Sequence, residues 1–293
     1  MNQFGYMAIE INNKIFVGDN RKVLKDFPEG VVNTTVTSPP YYNLRDYGVN
    51  GQIGLEDSID DYIEQLCIVF DEVYRVTKDD GTLWLNIGDC YARGGEINSD
   101  GRRGFSRTKG LGYRNKSVEG LTDKDLIGVP WRLAFALQKR GWILRSDIIW
   151  AKRNPMPESV TDRPTTSHEY IFLFAKNQKY YYDHESIREK LLPRHLRMNN
   201  DYEHRNKRDV WITGVASYPG AHFATFPMKL IIPCIQAGSP EGGLVLDPFM
   251  GSGTVAEAAK QYGRFYTGVE LNPEYHKIIN NRLKQEELFH AGL

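Results

Sequence analysis

The chain has no apolar run of the ~18–20 residues that a membrane span requires, and no basic flank followed by an apolar stretch at its amino terminus. Neither a spanning helix nor a signal peptide is therefore expected. Cysteine is scarce: Cys67, Cys90 and Cys234 are widely spaced, with no Cys-x-x-Cys pair. This excludes a disulfide framework, argues against structural zinc or any other metal, and suits a reducing cytoplasm. Net charge is absent too, because 37 basic residues balance 37 acidic ones, so the chain is not a generally basic nucleic-acid binder. Internal repeats and low-complexity tracts are also missing.

What remains is enough for a large core. With 293 residues, 41% of them hydrophobic, the chain can fold without covalent or metal staples. One main domain with a smaller appended region is the expected plan. Its charge is unevenly placed. One basic group runs from Arg93 to Lys116 and includes Arg102, Arg103 and Arg107; a second, from Arg188 to Arg208, includes Arg194, Arg197, Arg205 and Lys207. A local basic face can bind phosphate while the whole molecule stays neutral.

Strand and helix patterns alternate, as in an α/β sheet covered on both faces. Lys14 to Val17, Val31 to Thr37 and Gly81 to Gly88 read as strands. Ser58 to Thr77 has a helical period, with Ser58 as N-cap, and Ile127 to Arg140 is a helix stopped by Gly141. Trp142 to Ala151 and His168 to Ala175 are strands joined by a proline-rich loop, so a reversal is expected between them. Leu244 to Asp247 is a strand, Gly251 to Gly253 a tight loop and Thr254 to Tyr262 a helix. Arg264 to Leu271 is the next strand, and Pro273 to Leu288 a closing helix. Segments 93–125 and 177–220 show no such periodicity, and long irregular insertions in an enzyme are usually functional.

Two short motifs carry the chemistry. The first is Asp247-Pro248-Phe249-Met250-Gly251-Ser252-Gly253-Thr254. A glycine-rich turn between strand and helix lets backbone approach a ligand and aims N-terminal amides at it. No lysine follows Gly253, which excludes a phosphate-binding loop, and the third glycine of a nicotinamide fingerprint is replaced by Ala256. Asp247 can accept from the amino end of a ligand, Glu270 at the next strand end can meet ribose hydroxyls, and Asp19 can take an adenine amino group. A plain turn after a strand is the competing reading.

The second motif is Ser38-Pro39-Pro40-Tyr41. Prolines lack N–H donors and fix φ, so this segment presents rigid carbonyl oxygens. The Pro39 carbonyl and the Ser38 hydroxyl can accept both N–H bonds of an exocyclic amine, steering its lone pair outward. Tyr41, with Tyr42 beside it, offers an aromatic face for a base. The alternative is a Pro-Pro turn with Tyr41 as packing.

Together these residues resemble the β group of DNA amino-methyltransferases, in which the catalytic motif precedes the cofactor motif. The match covers most of the chain. Gly18-Asp19, Ser38 to Tyr41, Gly81 to Gly88, Trp150-x-Lys152-x-Asn154 with His168-Glu169, Phe226-Pro227, Asp247 to Thr254 and Glu270 occur in that family's order. The resemblance implies a Rossmann-like methyltransferase fold: a mostly parallel seven-stranded sheet with an antiparallel hairpin and a small target-recognition insertion. It divides the chain into a catalytic half (1–176, with the basic loop 93–125), a target-recognition region (177–220) and a cofactor half (221–293).

It also implies S-adenosylmethionine as cofactor, held by Asp19, Phe226, Asp247, Pro248, Phe249, Gly251, Gly253, Thr254 and Glu270. Phe226 would cover the methionine end and Asp19 meet the adenine. Ser38, Pro39, Pro40 and Tyr41 become the catalytic residues. Double-stranded DNA becomes the partner, with the target base rotated out of the stack and the two basic groups gripping phosphate. A cognate restriction endonuclease is compatible with this; the oligomeric state is not implied. Serine at the first clamp position is typical of cytosine-N4 enzymes, whereas adenine-N6 members usually carry Asp or Asn, so cytosine N4 is favoured and adenine N6 is the alternative. A non-catalytic DNA-binding module and an RNA substrate rank lower. Cytosine-C5 chemistry is rejected, since Cys234 of Pro233-Cys234 lies in an apolar helical stretch and reads as core.

Overall fold

The computed structural model describes residues 9–92, 118–191, 203–215 and 226–291, with side chains to residue 284. The first strand, β1 (Lys14–Val17), ends at Gly18, and Asp19 caps the short helix α1 (Asn20–Val23) by accepting from the Arg21 N–H. Strand β2 (Val32–Thr37) is wholly buried and runs straight into Ser38. Helix α2 (Ile59–Val76) starts where its cap predicts, the Ser58 hydroxyl accepting from the Asp61 N–H at 3.0 Å. Its stripe of Tyr62, Leu66, Val69, Phe70 and Val73 is buried, as the helical spacing requires.

Strand β3 (Thr77–Ile87) begins earlier than the predicted Gly81. Lys78 to Asp80 fall between the predicted helix and strand, and their backbone is engaged: the Asp80 carbonyl accepts from the Tyr181 N–H at 2.8 Å. Helix α3 (Val129–Lys139) has Pro130 in its first turn and is followed by Gly141 at φ +102°, a conformation that favours glycine and stops the helix. Strands β4 (Ile143–Lys152) and β5 (His168–Ala175) pair antiparallel, so the expected reversal is present. Two short strands, β6 (Glu189–Lys190) and β7 (His204–Arg205), pair with each other, and β8 (Val210–Thr213) follows. The chain closes with α4 (Met228–Gly238), β9 (Leu244–Asp247), α5 (Thr254–Gln261), β10 (Phe265–Glu270) and α6 (Pro273–Ala291).

One sheet of eight strands, in the order β1-β10-β9-β2-β3-β5-β4-β8, forms the body of the described residues. Only β5 runs against its neighbours. The predicted seven strands are all present; β8 is an addition, pairing parallel with β4 from within segment 177–220. Four residues in polar surroundings carry little periodic signal, but Trp211 turns inward against Trp84, with ring centroids 6.4 Å apart. The same segment leans on the main body elsewhere. Tyr182 stacks on Trp84 at 6.3 Å, and the Asp183 N–H donates to the Ala237 carbonyl.

Side chains alternate across the sheet with period two. Leu83, Leu85, Phe172 and Phe174 face α2 and α3, while Trp84, Ile171 and Leu173 face α4 and α5. The helices thus form a layer on each side. Among the described residues no helix is long and apolar enough to cross a membrane, and no cluster of His, Cys, Asp and Glu could hold a metal ion.

Candidate active site

Because β1, β10, β9, β2, β3 and β4 all run the same way, their carboxyl ends share one rim. The sheet order changes direction between β9 and β2: the crossover from β9 leads through α5 to β10, and that from β2 through α2 to β3. Open α/β sheets place their ligand crevice at this switch point. A cavity of about 280 Å³ lies there.

The glycine loop forms one wall. Asp247, 2% exposed, accepts from the Thr37 hydroxyl at 2.6 Å and the Phe249 N–H at 3.0 Å. Burial pushes its pKa up to about 7 against those two hydrogen bonds. Glu270 accepts from the Gly251 and Asn272 N–H groups, both at 2.8 Å. Burial likewise raises it, to about 6, with its backbone hydrogen bonds opposing. Gly251 and Gly253 sit at φ +54° and +82°. A Cβ on Gly251 would meet only the Phe249 carbonyl, at 3.8 Å, whereas one on Gly253 would come within 2.7 Å of Ile279. Gly251 therefore borders the cavity, and Gly253 turns away from it to let α5 pack on α6. Thr254 is braced by Arg282, whose guanidinium also donates to the Ser252 carbonyl.

Asn20 joins this wall to β1 by donating to the Pro248 carbonyl at 2.9 Å. Asp19 lines the cavity, but Arg21 already holds both its oxygens, at 2.8 and 2.9 Å. Burial raises the Asp19 pKa, yet the hydrogen bonds and charge of Arg21 outweigh it and hold the group below its ordinary value. Arg21 also donates to the Gly51 carbonyl at 2.8 Å, fixing the segment after the proline motif over the cavity.

The opposite wall is the proline motif. Ser38, Pro39, Pro40 and Tyr41 all line the cavity. The Tyr62 hydroxyl donates to the Pro40 carbonyl at 2.8 Å, so that oxygen is engaged. The Tyr41 hydroxyl donates to Glu169 Oε2 at 2.6 Å. Burial first, and the Glu169 charge second, raise the Tyr41 pKa well above its ordinary value. Its ring lies so close to Gly88 that a Cβ there would meet it at 2.8 Å. Tyr42 is not part of the wall: it is 2% exposed and packs on Tyr62 in the core, at the turn that the Leu44 N–H closes on the Tyr41 carbonyl.

Asn86, Trp150, Lys152 and Glu169 complete this wall; the family resemblance included Trp150, Lys152, Glu169 and the segment around Asn86 among its matching stretches but assigned them no role in the site. Topology brings them in. β5 runs backward, so its first residues reach the rim where its neighbours end, with Glu169 opposite Trp150. Lys152 and Glu169 form an ion pair, and Asn86 Nδ2 donates to Glu169 Oε2 at 3.2 Å. Phe226, Pro248, Phe249 and Thr254 also line the cavity. Cys234 is buried in α4 and is not among the residues that line the cavity, and burial raises its thiol pKa strongly, which disfavours the thiolate.

Arg102, Arg103, Arg107, Arg194 and Arg197 lie outside the described residues. Of the remaining basic candidates, Arg208 donates to Glu189 at 3.1 Å, Arg205 lies 3.7 Å from the same carboxylate, and Lys207 stands over the Trp211 ring at 4.8 Å.

The two motifs thus share one cavity at the switch point of a methyltransferase-like sheet. A DNA methylase family model matches residues 32–281. This chain belongs to the N6/N4 DNA methylase family. The family member is 49% identical over 286 residues to the Type II methyltransferase M.Cfr9I of Citrobacter freundii, covering 95% of this chain and 90% of that protein. It is 51% identical over 270 residues to the Type II methyltransferase M.SmaI of Serratia marcescens, covering 92% and 90%. Among solved structures, TTHA0409 of Thermus thermophilus in complex with S-adenosyl-L-methionine superposes with a TM-score of 0.60 at 28% identity, covering 93% of this chain and 95% of that one.

Proposed function

We propose that this DNA methylase family member transfers a methyl group to the exocyclic N4 amine of cytosine in double-stranded DNA, on a base rotated out of the duplex. S-Adenosylmethionine, the methyl donor, supplies an electrophilic carbon on its sulfonium. The residues present fit it. The buried Asp247 carboxylate can balance the donor's ammonium, Glu270 can meet its ribose hydroxyls, and the open side of Gly251 allows close backbone approach. Phe226 stands at the cavity wall to cover the methionine end. Asp19 can reach an adenine amino group only with its lone pairs left over from Arg21.

The observation that carries the reading is the hydrogen bond from Thr37 to Asp247, which ties the donor wall to the acceptor wall. Ser38 and the Pro39 carbonyl accept the two amine N–H bonds and direct the nitrogen lone pair across the cavity. One lone pair of the Pro40 carbonyl is already taken by Tyr62. Catalysis then rests on positioning and fixed dipoles, with no covalent enzyme intermediate. Ser38, in the place where adenine members usually carry Asp or Asn, supports cytosine over adenine.

Extruding a base costs ~a few kcal/mol, and phosphate contacts from the basic segments 93–116 and 188–208 would offset it, with 177–220 reading the target sequence. The Type II names of the two relatives support a cognate restriction endonuclease as partner. Treating DNA with the protein and methyl donor, then digesting it to nucleosides for mass spectrometry, tests the base. N4-methylcytosine is expected; N6-methyladenine overturns the choice of base, and no methylated nucleoside overturns the reading as a whole. Replacing Arg102, Arg103 and Arg107 with alanine should reduce the salt-dependence slope of DNA binding by about 3; an unchanged slope removes them from the interface.

A further inference from the structure

The segment that follows the proline motif leaves the wall of Tyr41 and comes to rest on the wall of Glu270. It begins by folding back on itself: the Asn43 N–H donates to the Gly54 carbonyl at 2.8 Å, closing the neck of loop 43–54. The loop is braced inside. Gln52 Oε1 accepts from the Tyr47 N–H at 2.7 Å and Gln52 Nε2 donates to the Arg45 carbonyl at 3.0 Å, cross-linking its two limbs. Leu44, Tyr47, Val49, Gln52 and Ile53 line the cavity along its course.

The tip of this loop is fastened from the far side. Arg21 Nη2 donates to the Gly51 carbonyl at 2.8 Å, while Nε and Nη2 hold the two Asp19 oxygens and Nη1 donates to Gln65 in α2. Asp19 follows β1, and the Gly18 N–H donates to the Glu270 carbonyl at 2.9 Å, so the anchor belongs to the Glu270 wall. A loop rooted beside Tyr41 and tied next to Glu270 crosses the cavity between them. Arg21 is not among the residues that line the cavity. Its planar fork of N–H donors serves a carboxylate, a carbonyl and an amide at once, which a single lysine ammonium is not shaped to do.

We infer that Arg21 is a positioning residue: it latches loop 43–54 across the cavity, so that the methyl donor enters and leaves only when the bond to Gly51 opens. The inference rests on S-adenosylmethionine occupying this cavity, as proposed above, but not on which base is methylated. The latch is a hydrogen bond from a charged group, and losing it should open the loop about tenfold more often.

Stopped-flow binding of S-adenosylmethionine to the wild-type protein, Arg21→Met and Arg21→Lys tests it, together with hydrogen exchange of the ligand-free proteins. Arg21→Met keeps the long stem and removes the fork. Donor association and dissociation should both quicken about tenfold, leaving affinity nearly unchanged, and the Asn43 and Tyr47 amides should lose protection by a similar factor. Arg21→Lys keeps the charge beside Asp19 and should be as fast as Arg21→Met. Faster dissociation with unchanged association would make Arg21 a contributor to bound-state affinity alone. Wild-type rates in Arg21→Lys would show that charge at Asp19 suffices. Either result overturns the latch, as does unchanged protection at Asn43 and Tyr47. Should Arg21→Met fail to fold, Gln65→Ala decides in its place: it releases the guanidinium on one side, so both rates should rise, by less, and unchanged rates overturn the inference. Wild-type protein that binds no donor sinks the proposed function and the latch together, an outcome distinct from donor binding at rates that ignore Arg21.

Discussion

The wall of the cavity that holds Asp247 and Glu270 is built by one strand, one loop and the next strand, and its groups are held mostly by neighbouring backbone N–H bonds. The facing wall draws Tyr41 from the segment after β2, Asn86 from β3, Lys152 from β4 and Glu169 from β5, joined side chain to side chain. A contiguous wall shapes itself as the loop closes. A dispersed wall exists only when four strands are in register, which makes it sensitive to single hydroxyl and amide groups.

The largest effect should follow from removing the anchor of the contiguous wall. Asp247→Ala is expected to weaken methyl-donor binding on the order of a hundredfold by calorimetry, since it removes the buried carboxylate proposed to balance the donor's ammonium. The raised pKa of Asp247 sharpens this. Its folded value of about 7 lies above the unfolded value, so the ligand-free protein binds the proton more tightly when folded and loses stability as pH rises toward 7. A cationic ligand favours the ionised form, so donor affinity should increase through that same window, and Asp247→Asn should flatten the profile.

The two loop glycines come next, and they should part company. Gly253→Ala forces a left-handed alanine against Ile279 and should cost about 1–3 kcal/mol of folding stability in denaturant unfolding. Gly251→Ala is also left-handed but meets only the Phe249 carbonyl, at an ordinary 3.8 Å, so it should cost less stability and instead lower donor affinity by intruding on the cavity. Equal destabilisation by both would show that the loop is a simple turn.

On the dispersed wall, Tyr62→Phe frees the Pro40 carbonyl and should cost about 1 kcal/mol, read as a severalfold drop in kcat with donor binding intact. A matching loss of donor affinity would mean that the walls do not act separately. The smallest effect is expected at Arg205 and Arg208. Both are close to Glu189, so replacing either with alanine should change the salt slope of DNA binding by less than the ~0.9 expected of a full phosphate contact.

The chain order alone determined the alternation of strands and helices, the cap at Ser58, the stop at Gly141 and both motifs. Each is written within a few residues, where φ preferences, hydrogen-bonding side chains and hydrophobic period act locally. It also identified the residues that ring the cavity at Ser38 to Tyr41, Asp247 to Gly251 and Glu270. The inward turn of Tyr42, the eighth strand at Val210–Thr213 and the recruitment of Asn86, Lys152 and Glu169 were decided by tertiary structure. Which face of an extended segment is buried, and which distant side chains meet at a rim, depend on strand order and direction. Reversing β5 is what carries Glu169 to Tyr41, and no interaction between near neighbours in the sequence encodes that meeting.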